Sequence, residues 1–235
     1  MNSNPQDGTS VKKYGLAFHT ATPELGLAIS NFAGDSRCQT WNLGRSLATD
    51  LHQHLVEFIQ PQTWADLAFI AVAKGPGGFT GTRMGMVTAR TLAQQLDIPV
   101  FAISTLAAVA WAAPPQPPLA KGGLLSAEPP VAKGGLLSIA LQMPAQRGQL
   151  FGAVYSVNKD SGLTELFPDT VMTAESWQEK LESWENSYQL IEVGSELGSS
   201  VSSVLELAYL EWKQGSRPAW SDALPYYGQH PVQGK

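Results

Sequence analysis

Side chains that could run catalysis are few in this chain of 235 residues, and their spacing does not suit it. The four histidines are His19, His52, His54 and His230. His52 and His54 are two apart, a spacing that turns them in different directions on a helix. There is no HExxH pair to grip a metal. The single cysteine, Cys38, can form neither an internal disulfide nor a cysteine-based zinc site, and it reads as a reduced thiol. Glu57, Asp66, Asp97 and Glu165 make no acid–base pairing legible in the sequence. Ser104 lacks the GxSxG elbow of a hydrolase nucleophile and reads better as a helix N-cap.

The segment that stands out is Gly75-Pro76-Gly77-Gly78-Phe79-Thr80-Gly81-Thr82-Arg83. A glycine-rich turn between a buried strand and a helix suggests phosphate first, because the free amides of the helix start attract anions. The dinucleotide pattern fails, since its third glycine would fall on Thr80. The Walker pattern fails too: Gly81-Thr82-Arg83 stands where Gly-Lys-Ser/Thr is required, and the glycine spacing is one residue too long. A weak anion site remains open on helix-dipole grounds alone. A second pattern favours packing. Gly81, Gly85, Ala89 and Ala93 recur every four residues and make one smooth helical stripe that lets another element approach closely. Phe79 and Met84 sit beside it, and Arg83 is placed to pair across an interface. The segment is therefore read as a docking element, with close packing inside its own domain as the alternative.

The elements that must position it follow from periodicity. Tyr14–His19 and Leu25–Phe32 read as strands, and Arg37–Trp41 as a third. Leu43–Gln60 carries apolar residues at helical spacing and stops at Pro61. Leu67–Ala73 (LAFIAVA) is apolar throughout, as in a strand buried on both faces. Thr82–Leu96 reads as a helix, Pro99–Ile103 as a strand, and Ser104 caps a helix to about Trp111. This β-β-β-α-β-α-β-α order predicts an α/β fold with a mixed sheet flanked by helices. Later, Ser138–Met143, Gln149–Val157 and Tyr188–Val193 read as strands, with helices over Thr173–Trp184 and Ser199–Lys213, so the second half is reduced. The expected division is a flexible tail over 1–13, a first lobe over 14–111, a Pro/Gly-rich insert over 112–137 and a smaller lobe over 138–235. Within the insert, PPLAKGGLLSAE and PPVAKGGLLSIA are tandem copies, too short and too rich in Pro and Gly to bury a core, so disorder is expected there.

The net charge of −5 argues against gripping nucleic acid unaided, since phosphate neutralisation needs a basic surplus. No apolar run reaches membrane-spanning length, and Met1–Lys13 has no signal-peptide core, so the expected location is cytoplasmic.

Lys74–Arg83 (KGPGGFTGTR), the helix that follows, Ile98-Pro99-Val100, Ser104-Thr105-Leu106 and the late Leu224-Pro225-Tyr226-Tyr227 closely resemble the TsaB (YeaZ) family. The resemblance implies a two-lobed fold of the actin/Hsp70/sugar-kinase type (ASKHA, RNase H-like). It implies a scaffold subunit without its own catalytic activity, in the complex that makes N6-threonylcarbamoyladenosine at tRNA position 37. Its partners would be a TsaD-type catalytic subunit and a TsaE-type ATPase, with tRNA reached only through the complex and a homodimer when alone. Partner binding would use the stretch Gly75 to Gly85 together with Ala89 and Ala93. No tightly bound cofactor or metal is implied, and ATP or ADP with magnesium would belong at the interface with the TsaD-type partner. His19 departs from the pattern, because it stands where nucleotide-binding members of the superfamily place an aspartate. Gln146-Arg147-Gly148-Gln149 likewise stands where many relatives carry acids. The alternative is a stand-alone ATP-binding enzyme, a small-molecule kinase or ATPase of the same fold.

Overall fold

A computed structural model describes residues 13–113, 138–158 and 162–228. The tandem repeat up to Leu137, nearly all of the N-terminal tail and His230 lie outside the described residues, while the last three residues of the second repeat copy, 138–140, open a strand. The first sheet holds β1 (Tyr14–His19), β2 (Glu24–Ser30), β3 (Ser36–Asn42), β4 (Leu67–Ala73) and β5 (Val100–Ile103), in the order β3-β2-β1-β4-β5. β1 runs antiparallel to β2 and parallel to β4, and β4 runs parallel to β5. The apolar runs of β1 and β4 explain their central places, since both are covered on two faces. β3 (SRCQTWN) is mostly exposed, as suits an edge.

Helices α1 (Leu47–Phe58) and α2 (Phe79–Leu96) cover one face of this sheet. There Leu51 and Leu55 of α1 and Met86 of α2 join Leu16, Phe18 and Val72 in one buried cluster. Arg37 of β3 closes the far end of α1 by donating to the carbonyls of Phe58, Ile59 and Gln60 at 2.8–2.9 Å, a cation where the helix dipole is negative.

The second sheet has the order β8-β7-β6-β9, from β6 (Ser138–Pro144), β7 (Gln149–Asn158), β8 (Gly162–Thr173) and β9 (Tyr188–Glu192). α4 (Ala174–Glu182) covers its outer face with Trp177 and Leu181. α3 (Thr105–Ala112) and α5 (Val201–Lys213) lie between the two sheets, and their apolar residues merge Phe69 and Phe101 of the first with Leu141 and Tyr155 of the second. Although α5 falls late in the chain, it packs on β1, β2, β4 and β5, so sequence order does not assign it to the second sheet.

Two departures from expectation concern this half and α2. β8 was not expected at all: its sequence GLTELFPDTVMT contains Pro168, lacks clean alternation and has no fully buried residue, most being half-buried. It forms because β7 offers a long antiparallel edge, with irregular register opposite Gly152–Tyr155. α2 begins at Phe79 rather than Thr82, with Gly78 as its N-cap in an extended conformation.

The glycine turn, the faces of α2 and the candidate docking site

The turn after β4 is held by three neighbours. The amide of Lys74 donates to Ile103 O at 2.8 Å, and Thr105 N donates to Gly75 O at 2.9 Å, which joins the ends of β4 and β5. Gly78 N donates to Ala21 O at 2.7 Å, beyond the end of β1. Tyr226 N, from the irregular end of the chain, donates to Lys74 O at 2.7 Å. Gly75 has φ +99, a conformation open to glycine, and the Tyr226 carbonyl occupies the place a Cβ would take. The Lys74 amide and carbonyl, the Gly75 carbonyl and the Gly78 amide are thus all bonded to the protein's own backbone.

The small-residue stripe turns inward. Ala89 and Ala93 are fully buried, Gly85 is buried and Thr82 is 1% exposed. Thr20, just past β1, donates its hydroxyl to Gly81 O at 2.9 Å, and a side chain at Gly85 would collide with the Thr20 hydroxyl. This corrects the expectation that the face from Gly81 through Ala93 meets a partner: the stripe is smooth because the sheet lies against it. An arginine at Gly85 would accordingly disturb the fold itself. What α2 presents outward is Phe79, Thr80, Arg83 and Val87, with Met84 half-buried. Of the turn, Gly75 and Pro76 are buried, Gly77 is half-buried and Gly78 is exposed.

Beside this outer face lies an apolar groove of about 340 Å³ between α1 and α2. His52, Leu55, Val56 and Trp64 line it from the α1 side, and Met84, Val87, Thr88, Thr91 and Leu92 from α2. Val56 and Val87 are 53% and 54% exposed, which is uncommon for paired valines on one surface. The α1 contribution was not foreseen. Its signal was Val56, an apolar residue off the buried stripe of Leu47, Leu51, Leu55 and Phe58.

The histidines go to unrelated places. His52 reaches the groove, while His54 packs against Trp41 with ring centres 4.5 Å apart. His19 is fully buried, neither ring nitrogen has a hydrogen-bond partner, and burial lowers its pKa to about 4. A neutral imidazole there offers no negative charge to magnesium or to a nucleotide's counter-ions. Among the described residues no group of three His, Cys, Asp or Glu side chains is placed to hold a metal. Cys38 is exposed and unpaired.

Ser104 caps α3 by accepting from Ala107 N at 3.1 Å, as expected. It also donates to Asp169 of β8 at 2.6 Å, and Tyr155 donates to the other Asp169 oxygen at 2.6 Å. Burial raises the Asp169 carboxyl above the usual carboxylate range, although both hydroxyls pull it down. This polar bridge between the halves was invisible in sequence, because β8 itself was. A second cavity, a cleft of about 520 Å³, opens between Gly77, Gly78, Phe79 and Tyr227 on one side and Met143–Arg147 and Phe151 on the other.

The fold and site define a two-lobed α/β protein with a glycine turn tied to its own backbone and an apolar groove on one lobe. Residues 55–126 match a family model described as TsaD, tRNA N6-adenosine threonylcarbamoyltransferase. The chain is 36% identical over 120 residues to the tRNA threonylcarbamoyladenosine biosynthesis protein TsaB of Bacillus subtilis, covering 49% of this chain and 42% of that protein. It is 26% identical over 132 residues to TsaB of Buchnera aphidicola from Acyrthosiphon pisum, covering 56% and 52%. The chain thus spans about half the length of the curated relatives it matches. The structure of YeaZ from Pseudomonas aeruginosa superposes with a TM-score of 0.68 at 20% identity, over 91% of this chain and all of that one. Over about half of its length the chain is thus similar to the TsaB proteins, and its fold is that of the YeaZ structure. No helix among the described residues is long and apolar enough to cross a membrane.

Proposed function

We propose that this chain serves tRNA threonylcarbamoyladenosine biosynthesis as a non-catalytic subunit. In this reading it binds a TsaD-type catalytic subunit through the outer faces of α1 and α2 and supports a TsaE-type ATPase. Alone it pairs with a second copy through the same faces, it meets tRNA only within the complex, and it works in the cytoplasm. The observation that carries the reading is the apolar groove between α1 and α2, with Val56 and Val87 more than half exposed at its rim. An exposed apolar patch of this kind costs solubility unless a partner covers it. Desolvating it, with Arg83 at the edge, gives the apolar core and charged rim of an ordinary protein interface. The test is co-purification: the TsaD-type protein should come with the chain, Val87→Arg should release it, and loss of the chain should deplete the modified adenosine. Retention of the partner by Val87→Arg and Val56→Arg alike would overturn the docking assignment.

The alternative of a stand-alone ATP-binding enzyme has the 520 Å³ cleft in its favour. The buried, uncharged His19 weighs against it. Titration with magnesium-ATP decides: no heat of binding removes this reading.

A further inference from the structure

After α5 the chain doubles back as an irregular segment, with one short 3-10 turn at Trp220–Asp222. It is stitched along the first lobe and then across to the second. The Pro218 carbonyl accepts from Val100 N, the Trp220 ring lies 5.8 Å from the Arg90 guanidinium on α2, and Ala223 is buried in the core beneath α1 and α2. The segment then crosses the glycine turn. Tyr226 makes two bonds there, one to each lobe: its amide donates to Lys74 O at 2.7 Å, and its hydroxyl donates to Asp169 O at 2.5 Å. The Tyr227 ring packs on Phe79, the first residue of α2, with centres 4.6 Å apart. Gly228 lies against Phe151 of β7.

We propose that residues 218–228 are a latch: a segment that holds the glycine turn and the first turn of α2 while docked, and that undocks as a unit while both sheets stay folded. Two features favour reversible docking over permanent packing. Within the segment only Ala223 is buried, and Leu224 is 62% exposed. Its hold otherwise comes from a few hydrogen bonds and ring contacts, each contributing little net, so its opening free energy falls well below that of the cores. Undocking has a defined result. It removes Tyr227 from the wall of the 520 Å³ cleft and bares the Phe79 ring, the Lys74 carbonyl and Gly75. None of these residues lines the α1–α2 groove, so the latch can be correct whether or not that groove docks a partner.

Hydrogen exchange on the full chain tests it. The Tyr226 amide should exchange at least about 100-fold faster than the β1 amides of Ala17 and Phe18, as sub-global opening requires. Tyr226→Ala should speed exchange over residues 74–82 by about tenfold and leave β6 and α4 unchanged. Tyr226→Phe, which loses only the bond to Asp169, should speed the latch amides alone, by a few-fold. Equal exchange at Tyr226 and in β1 would overturn the proposal. So would an acceleration in Tyr226→Ala that spreads evenly through both sheets, or no acceleration in either variant.

Discussion

Along α2 the residues that meet the sheet are Gly81, Gly85, Ala89 and Ala93, while those that meet solvent include Phe79, Arg83 and Val87. The inner set is small because Thr20 and the central strands sit against it. The outer set carries bulk and charge: Phe79 meets the Tyr227 ring, while Arg83 and Val87 face solvent. Smoothness and stickiness thus fall on opposite sides of one helix. A run of small residues shows that something approaches closely; it does not show whether that neighbour belongs to the same chain. The exposed valines mark the outer face as the one free to take a partner.

The largest effect that could break this contrast is at Gly85. Gly85→Arg forces a long side chain against Thr20, whose hydroxyl already lies where a Cβ would go. Overpacking at so tight a contact should cost at least about 3 kcal/mol. Urea unfolding should show a lower midpoint or no folded baseline. A fully stable Gly85→Arg protein would mean that the stripe is not packed as described.

His19 lies one residue before Thr20, and strand alternation turns it to the opposite side of β1, toward α5. Its folded-state pKa of about 4 lies below the usual 6.5 because burial excludes the charged form. The unfolded chain therefore binds the extra proton first. Stability is fully present above about pH 6.5 and falls as pH drops toward 4, by about 3 kcal/mol over that window. Chemical denaturation at several pH values measures the slope. His19→Leu should flatten it between pH 4.5 and 6.5, and an unchanged slope would assign the acid loss elsewhere.

On the outer face, Val87→Arg should change stability by less than about 0.5 kcal/mol, since the side chain meets solvent. Its effect should appear in association, with affinity for the TsaD-type partner down at least tenfold, about 1.4 kcal/mol. Equal affinity would leave the groove without its proposed role.

Much of the first lobe was legible because its signals are local and strong. LAFIAVA can hardly be other than a buried strand, and Ser104 announced the cap of α3. The orientation of the stripe was not legible, because an internal sheet and an external helix demand the same small residues. Only the three-dimensional position of Thr20, more than sixty residues earlier, separates them. β8 escaped for a related reason. A half-buried strand with an internal proline has no clear pattern of its own and takes its conformation from β7. The latch and the Ser104–Asp169 bridge depend on contacts between residues far apart in sequence, which composition and spacing do not encode.

The finest probe of the two faces is Thr20→Val. Valine keeps the shape of threonine and removes only the hydroxyl that donates to Gly81 O. Gly81 lies in the first turn of α2, so its carbonyl also faces the amide four residues on and is not left bare. The cost should therefore stay near about 1 kcal/mol, the net value of one internal hydrogen bond. Partner affinity should not change, because Thr20 is fully buried and never reaches the groove. Were Thr20→Val instead to weaken association at unchanged stability, docking would depend on how tightly β1 seats α2. The inner face would then be setting the angle at which the outer face meets its partner.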